Sequence, residues 1–202
     1  MSELSIINKK KYLIVCFGGM SLRMGGIPPF EFLNYLRNVY KNECDLIFYI
    51  DIHQCCYHKG IKDISNNVDE TVTYLNSKIS QNDYDKVIFM GTSAGGYASI
   101  LFGSLCNNVN SVISFIPKTI LNSPVDEKYS NLHNFINSNT NYILFGDSNI
   151  KNVNNCHHIS QCEHLKDFPN IKIIKVNGVD LKKLRDENVI KNTIDNIIYK
   201  TK

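Results

Sequence analysis

The chain lacks any apolar run long enough to cross a membrane, and its first eight residues lack the hydrophobic stretch of a secretory signal. A strong charge of either sign is missing too. The formal net charge is +3, and no run of Lys or Arg interleaves with aromatics, so neither a nucleic acid nor a membrane is expected as partner. The basic clusters Lys9-Lys10-Lys11 and Lys182-Lys183 read as solvated ends of elements. Closely paired cysteine knuckles are absent, although seven cysteines are present. An odd number without a secretory signal points to free thiols in a reducing, cytoplasmic setting. Neither a P-loop nor a G-x-G-x-x-G spacing occurs, which argues against a phosphate cradle. No cofactor and no metal are expected. Cys156, His157, His158, Cys162 and His164 do cluster, but not at the spacing of a zinc site.

What is present suits one globular domain. The 202 residues are 43% hydrophobic and 20% charged, enough to bury a single core. Short apolar runs, many of them β-branched, occur at residues 12–17, 46–50, 87–90, 111–115, 142–145 and 171–176. They are continuous rather than alternating, as in strands covered on both faces. Helical spacing fills the intervals at 29–40, 68–79, 94–106, 157–168 and 181–199. Strand and helix thus alternate, which predicts an α/β fold: a three-layer α/β/α sandwich around a mainly parallel six-stranded sheet. Residues 117–140 break the alternation and read as a lid or a short helix over the site.

Gly91-Thr92-Ser93-Ala94-Gly95 carries the chemistry. An apolar strand runs directly into it and a helix rich in small residues starts directly after it. A G-x-S-x-G in that setting puts its serine on a sharp strand-to-helix turn, where a side chain at either glycine would clash. Ser93 is therefore the candidate nucleophile. The segment 87–96 resembles the nucleophile elbow of the α/β-hydrolase superfamily. The likeness runs from Tyr12 to Ile198 if the two N-terminal strands of a full-size member are absent. More loosely, the chain resembles small hydrolase-like proteins encoded near polysaccharide-biosynthesis genes in bacteria and large DNA viruses.

The resemblance implies a minimal α/β-hydrolase fold and a serine esterase, thioesterase or acyltransferase. It also implies an oxyanion hole from the amide of Ala94 and from Gly19 or Met20, at the end of the first predicted strand. Glycines at Gly18-Gly19 and Gly25-Gly26 let backbone approach a substrate there, or serve as turns only. Asp147 stands where the superfamily's acid follows the fifth predicted strand, with a loop-capping role as the alternative.

The histidine should come after the sixth predicted strand, and none occurs beyond His164. The base must then come from elsewhere. His158 is placed marginally first, with His157 close behind, both just after the Asp147 loop. His53 and His58 lie beyond the second predicted strand and are alternatives, while His133 falls in the 117–140 segment and His164 on a helix. His58 and Arg185 are also candidates for substrate binding, Arg185 alternatively forming a surface ion pair. The expected partner is a small-molecule or carbohydrate ester, and oligomeric state is not legible. The competing reading is a non-catalytic binding or scaffold protein that kept the fold without its final-loop histidine.

Overall fold

A computed structural model describes residues 1–21, 30 and 32–199. Gly25-Gly26 and the predicted helix start at Pro29 lie outside those residues. Seven strands form one sheet: β1 (Glu3–Ile6), β2 (Tyr12–Phe17), β3 (Cys44–Tyr49), β4 (Lys86–Thr92), β5 (Ser111–Phe115), β6 (Asn141–Asp147) and β7 (Ile171–Val176). Their order is β1-β3-β2-β4-β5-β6-β7, with β1 antiparallel to β3 and all other neighbours parallel.

Alternation along each strand explains the continuous apolar runs. Leu13, Val15 and Phe17 of β2 join Val87 and Phe89 of β4 in one core. It is covered by α2 (Val68–Ser80) and α3 (Ala94–Leu105), through Leu75, Ile79, Tyr97 and Leu101. Ile14, Cys16, Ile88 and Met90 point the other way. They meet α1 (Leu33–Tyr40), α5 (Leu181–Asp186) and α6 (Val189–Ile198), through Leu36, Tyr40, Leu184, Ile190 and Ile194. Both faces bury side chains, so period-two polarity disappears. The α/β/α sandwich is as expected.

Three details depart from the sequence expectation. The sheet has a seventh strand, because β1 is a four-residue edge strand that buries little and so leaves no apolar run. The expected helix at 157–168 shrinks to α4 (Ser160–Glu163) flanked by tight turns, which leaves His157 and His158 in the loop before it. The last helix divides at Asn188, whose left-handed φ of 58° interrupts it.

Residues 117–140 form neither a regular helix nor a detached lid. Two 3-10 turns, Glu127–Tyr129 and Leu132–Phe135, bury Tyr129 and Leu132 against the α2/α3 core. The Tyr97 hydroxyl donates to the Tyr129 carbonyl at 2.5 Å, and Thr119 is tied to Gln161 through both amide and hydroxyl. The segment is a packed wall.

The chain leaves β2 toward β3 and leaves β4 toward β5. The loops beyond these neighbours diverge, opening the crevice where ligands of open α/β sheets bind. Phe17 pairs with Gly91, so the Gly18-Gly19 loop and Ser93 emerge side by side.

Candidate active site

Ser93 sits between β4 and α3 with φ 55° and ψ −115°, a conformation that costs on the order of 1–3 kcal/mol for a residue with a side chain. Its surroundings over-determine it. The Ser93 amide donates to the Phe115 carbonyl at 2.9 Å, and its carbonyl accepts from the Tyr97 amide at 2.9 Å. The flanking glycines are required by contact. A Cβ on Gly91 would lie 2.3 Å from the Gly95 carbonyl oxygen, and one on Gly95 would lie 2.0 Å from that of Phe17. Both obstacles are backbone, so neither can rotate away. Gly95→Ala is accordingly expected to lower stability by about 3 kcal/mol in urea unfolding. A change below about 0.5 kcal/mol would contradict this packing.

The histidine facing Ser93 is His157. Its Nε2 lies 2.7 Å from Ser93 Oγ. Asparagine turns aim the loop: Asn152 Oδ1 accepts from the Asn154 amide, and Asn155 Oδ1 accepts from the His157 amide at 2.9 Å. The marginal preference for His158 is thereby corrected. The His158 ring turns forward instead, and its Nδ1 lies 2.9 Å from Ser160 Oγ and 3.1 Å from the Ser160 amide. Burial holds the half-buried His157 below the ordinary histidine pKa, and the Lys118 charge pushes it the same way.

Among the described residues, the Asp147 side chain makes no hydrogen bond to either imidazole, although its backbone bridges to that of His158. Its carboxylate accepts from the amides of Asn149 at 2.8 Å and of Gly178 and Val179 at 3.1 Å, clasping the β6 loop to the β7 loop. Burial raises its pKa, but amide donors from Asn149, Val179, Gly178 and Ile150 together outweigh that and hold it below the usual carboxylate value. The structure does not bring it to the imidazole it was expected to orient, because its oxygens are committed to backbone. Among the described residues, no hydrogen bond to His157 Nδ1 is found.

The other histidines are placed elsewhere. His58 is 4% exposed, with Nδ1 accepting from the Asp126 amide at 3.1 Å. That bond makes Nε2 the protonated nitrogen, which donates to the Tyr97 hydroxyl at 2.8 Å. Burial keeps the ring neutral by lowering its pKa. His58 thus braces the 117–140 wall from beneath, with both ring nitrogens hydrogen-bonded inside the protein. His53 is exposed. His133 and His164 face one another at 5.4 Å, and His164 Nε2 lies 2.8 Å from Asn131 Oδ1. Arg185 is exposed, pairs with its neighbour Asp186 through Nε and Nη2, and lines a separate cavity with Phe32, Leu33 and Leu181. Among the described residues, no group of three or more His, Cys, Asp or Glu could hold a metal ion.

The electrophilic side of the site rests on backbone. Ala94 opens α3, whose first amides have no acceptor within the helix, and the Ser93 side chain makes no cap bond to them. Gly18 is fixed at both ends: its amide donates to the Tyr49 carbonyl at 2.9 Å, and its carbonyl accepts from the Tyr57 hydroxyl at 3.1 Å. Gly19 and Met20 continue from that anchor, and the Met20 carbonyl accepts from Gln54 Nε2 at 2.7 Å. A cavity of about 660 Å³ opens beside them, with Met20, Gln54, Lys118, Asn122, Asn154 and Cys156 in its wall. Lys118 is the site residue that sequence reasoning passed over. Its signal is a cation three residues past the strand next to the nucleophile strand.

No protein-family model and no curated protein matches the chain by sequence. Solved structures do match its backbone. A mutant of the capsule O-acetyltransferase of Neisseria meningitidis serogroup A in complex with CoA has a TM-score of 0.68 at 15% identity, over 95% of this chain and 90% of that one. The substrate-bound fluorophosphonate-binding serine hydrolase F of Staphylococcus aureus has a TM-score of 0.67 at 12% identity, over 96% and 86%. An alpha/beta hydrolase enzyme from a sediment metagenome of the Mar Chica lagoon, Morocco, has 0.62 at 13% identity, over 96% and 94%. Identities this low speak for the backbone alone, and on that ground the chain has the α/β-hydrolase fold.

Proposed function

We propose that the protein is a serine hydrolase or acyltransferase that works through an acyl-Ser93 intermediate, with His157 as general base. The observation that carries this reading is the 2.7 Å approach of His157 Nε2 to Ser93 Oγ, on the strained elbow at the sheet's switch point. In the first step Nε2 takes the Ser93 proton as Oγ bonds to an ester or thioester carbonyl carbon. The carbonyl π electrons move to oxygen, and the amides of Ala94 and of Gly19 or Met20 hold the resulting oxyanion. Collapse expels the alcohol or thiol, which takes the proton back from His157. Water or an acceptor hydroxyl then repeats the sequence and carries the acyl group away.

The pair operates as a dyad in this reading, since Asp147 is occupied by backbone amides. Half-burial and the asparagine turns hold the ring in place of an acid. The alternative of a binding protein rested on the missing histidine after β7; a histidine from the β6 loop beside Ser93 weighs against it. O-acylated carbohydrate is the substrate class favoured, supported by the amide-rich wall and by the capsule O-acetyltransferase among the structural neighbours.

Rapid mixing with an activated acetyl ester tests the proposal. A burst of alcohol is expected, with one acetyl group found by mass on the peptide containing Ser93. The base must be unprotonated, so acylation is expected to rise with pH through a midpoint below the ordinary histidine value of 6.5, because burial and Lys118 both favour the neutral ring. A pH-independent rate between 5 and 8 would contradict the assignment of His157 (roughly the window in which any histidine base titrates).

A further inference from the structure

Lys118 follows Pro117 three residues beyond β5, beside the nucleophile strand, and it is half-buried in the cavity wall. None of the ion pairs among the described residues includes it. Among the described residues its hydrogen bond is to the thioether of Met20, with Nζ 3.9 Å from Sδ, and a thioether is a weak acceptor that does not satisfy an ammonium. No Asp or Glu is found among the described residues of that wall; its other polar groups are amides, one hydroxyl and thiols. Asp51, the buried carboxylate behind the neighbouring loop, is committed to the amides of Cys55 and Tyr57 at 2.7 and 3.0 Å. A partly desolvated cation is ordinarily paired. Here no such partner is found among the described residues, and the side chain lines a cavity that shares Met20 with the proposed oxyanion loop.

We propose that Lys118 anchors an anionic group, a carboxylate or a phosphate, on a hydroxyl-rich substrate whose acyl ester is presented to Ser93. This inference rests on the reading of Ser93 as an acyl-transferring nucleophile. A lysine suits the task because its ammonium binds such oxygens as a point charge, without the fixed fork of arginine. Asn122, Ser123 and Asn154, all exposed in the same wall, supply polar ends for the substrate's hydroxyls. The same charge would bring the anionic substrate to the site and hold it close to the nucleophile.

The test has two arms. In the first, acetate release is followed from O-acetylated glucuronate and from O-acetylated glucose. Wild type is expected to favour the anionic ester by about 10- to 100-fold in kcat/KM, chiefly through KM, the range of a charge-assisted contact. The ratio is expected to fall to within about twofold of one in Lys118→Met and Lys118→Gln, and to return largely in Lys118→Arg. The pH midpoint of acylation should also rise when the charge is removed, since Lys118 lowers the His157 pKa, and the substrate-charge ratio is the readout that a purely structural lysine would not move. A wild-type ratio near one, or a ratio indifferent to both neutral replacements, would overturn the proposal.

In the second arm, glucuronate, glucose 6-phosphate and glucose are titrated into Ser93→Ala by calorimetry. Both anions are expected to bind at least about tenfold more tightly than glucose, with the loss of that margin in Ser93→Ala/Lys118→Met; the stronger of the two names the group. Equal affinity, or no binding of either anion, would overturn the anion site. Anion-selective binding without acetate release from any ester would instead overturn the acyl-transfer reading and leave the anion site standing.

Discussion

Ser93→Ala is expected to lower kcat for ester cleavage by about four to six orders of magnitude, while leaving the protein folded. The loss is large because no neighbouring hydroxyl replaces Oγ on the elbow. Thr92 Oγ1 is buried and without a hydrogen-bond partner among the described residues, and it precedes the turn. The stability change is expected to be about 1 kcal/mol or less, since only the Oγ–His157 contact is lost and alanine inherits the same backbone angles. Ser93→Gly should be equally inactive yet more stable than Ser93→Ala by about 1 kcal/mol, because glycine carries no penalty at φ 55°. Steady-state kinetics and urea unfolding of the two variants check both halves. Residual activity above about one hundredth of wild type in either variant would contradict the assignment of the nucleophile.

The second large effect separates two adjacent residues. His157→Ala is expected to lower kcat by about three to four orders of magnitude, near the upper range for loss of a general base. His158→Ala should cost less than about tenfold, through a loosened Ser160 turn and no more. Added imidazole should recover part of the His157→Ala activity, since the missing ring leaves a space beside Ser93, and should do nothing for Ser93→Ala. The dyad reading extends the contrast to the carboxylate. Asp147→Asn retains an acceptor oxygen for the amides of Asn149 and Gly178, so it is expected to cost less than about tenfold. An acid that orients the imidazole would cost about 10⁴ on the same change. Kinetics at a pH where wild type is fully active decide among these outcomes.

The difference between the nucleophile and its base also explains what the sequence made legible. The elbow's signal is local: Gly91, Ser93 and Gly95 lie within five residues and the clash at Gly91 comes from Gly95 itself, although the clash at Gly95 comes from the distant Phe17. The strands were legible because both faces of Ile14-Val15, Ile88-Phe89 and Val112-Ile113 are buried, giving unbroken apolar runs. β1 was not legible, because a short strand at a sheet edge owes its existence to the exposed backbone of β3 and not to its own side chains.

The sequence favours the loop after Asp147 for the proposed base, with His53 and His58 as alternatives, and does not separate His157 from His158. His157 and His158 have the same chemistry and adjacent positions. What separates them is that Asn155 caps the His157 amide while Ser160 captures the His158 ring. Helical spacing across 157–168 also misleads, since the partly buried Ile159 and the buried Cys162 and Leu165 are packed by the short α4 and tight turns that share the helix's period. Asp147 stands where the resemblance places an acid, yet its oxygens accept from the amides of Gly178 and Val179, which only the folded β7 loop brings near. Lys118 escaped notice because an unpaired cation is defined by what fails to surround it in space.

The central claim is that Ser93 is a nucleophile activated by His157, and covalent labelling by a fluorophosphonate tests it most directly. Wild type and His158→Ala are expected to label on Ser93 at similar rates, His157→Ala at least about a hundredfold more slowly, and Ser93→Ala not at all. A well-folded wild type that does not label, or loss of labelling in His158→Ala with retention in His157→Ala, would contradict it.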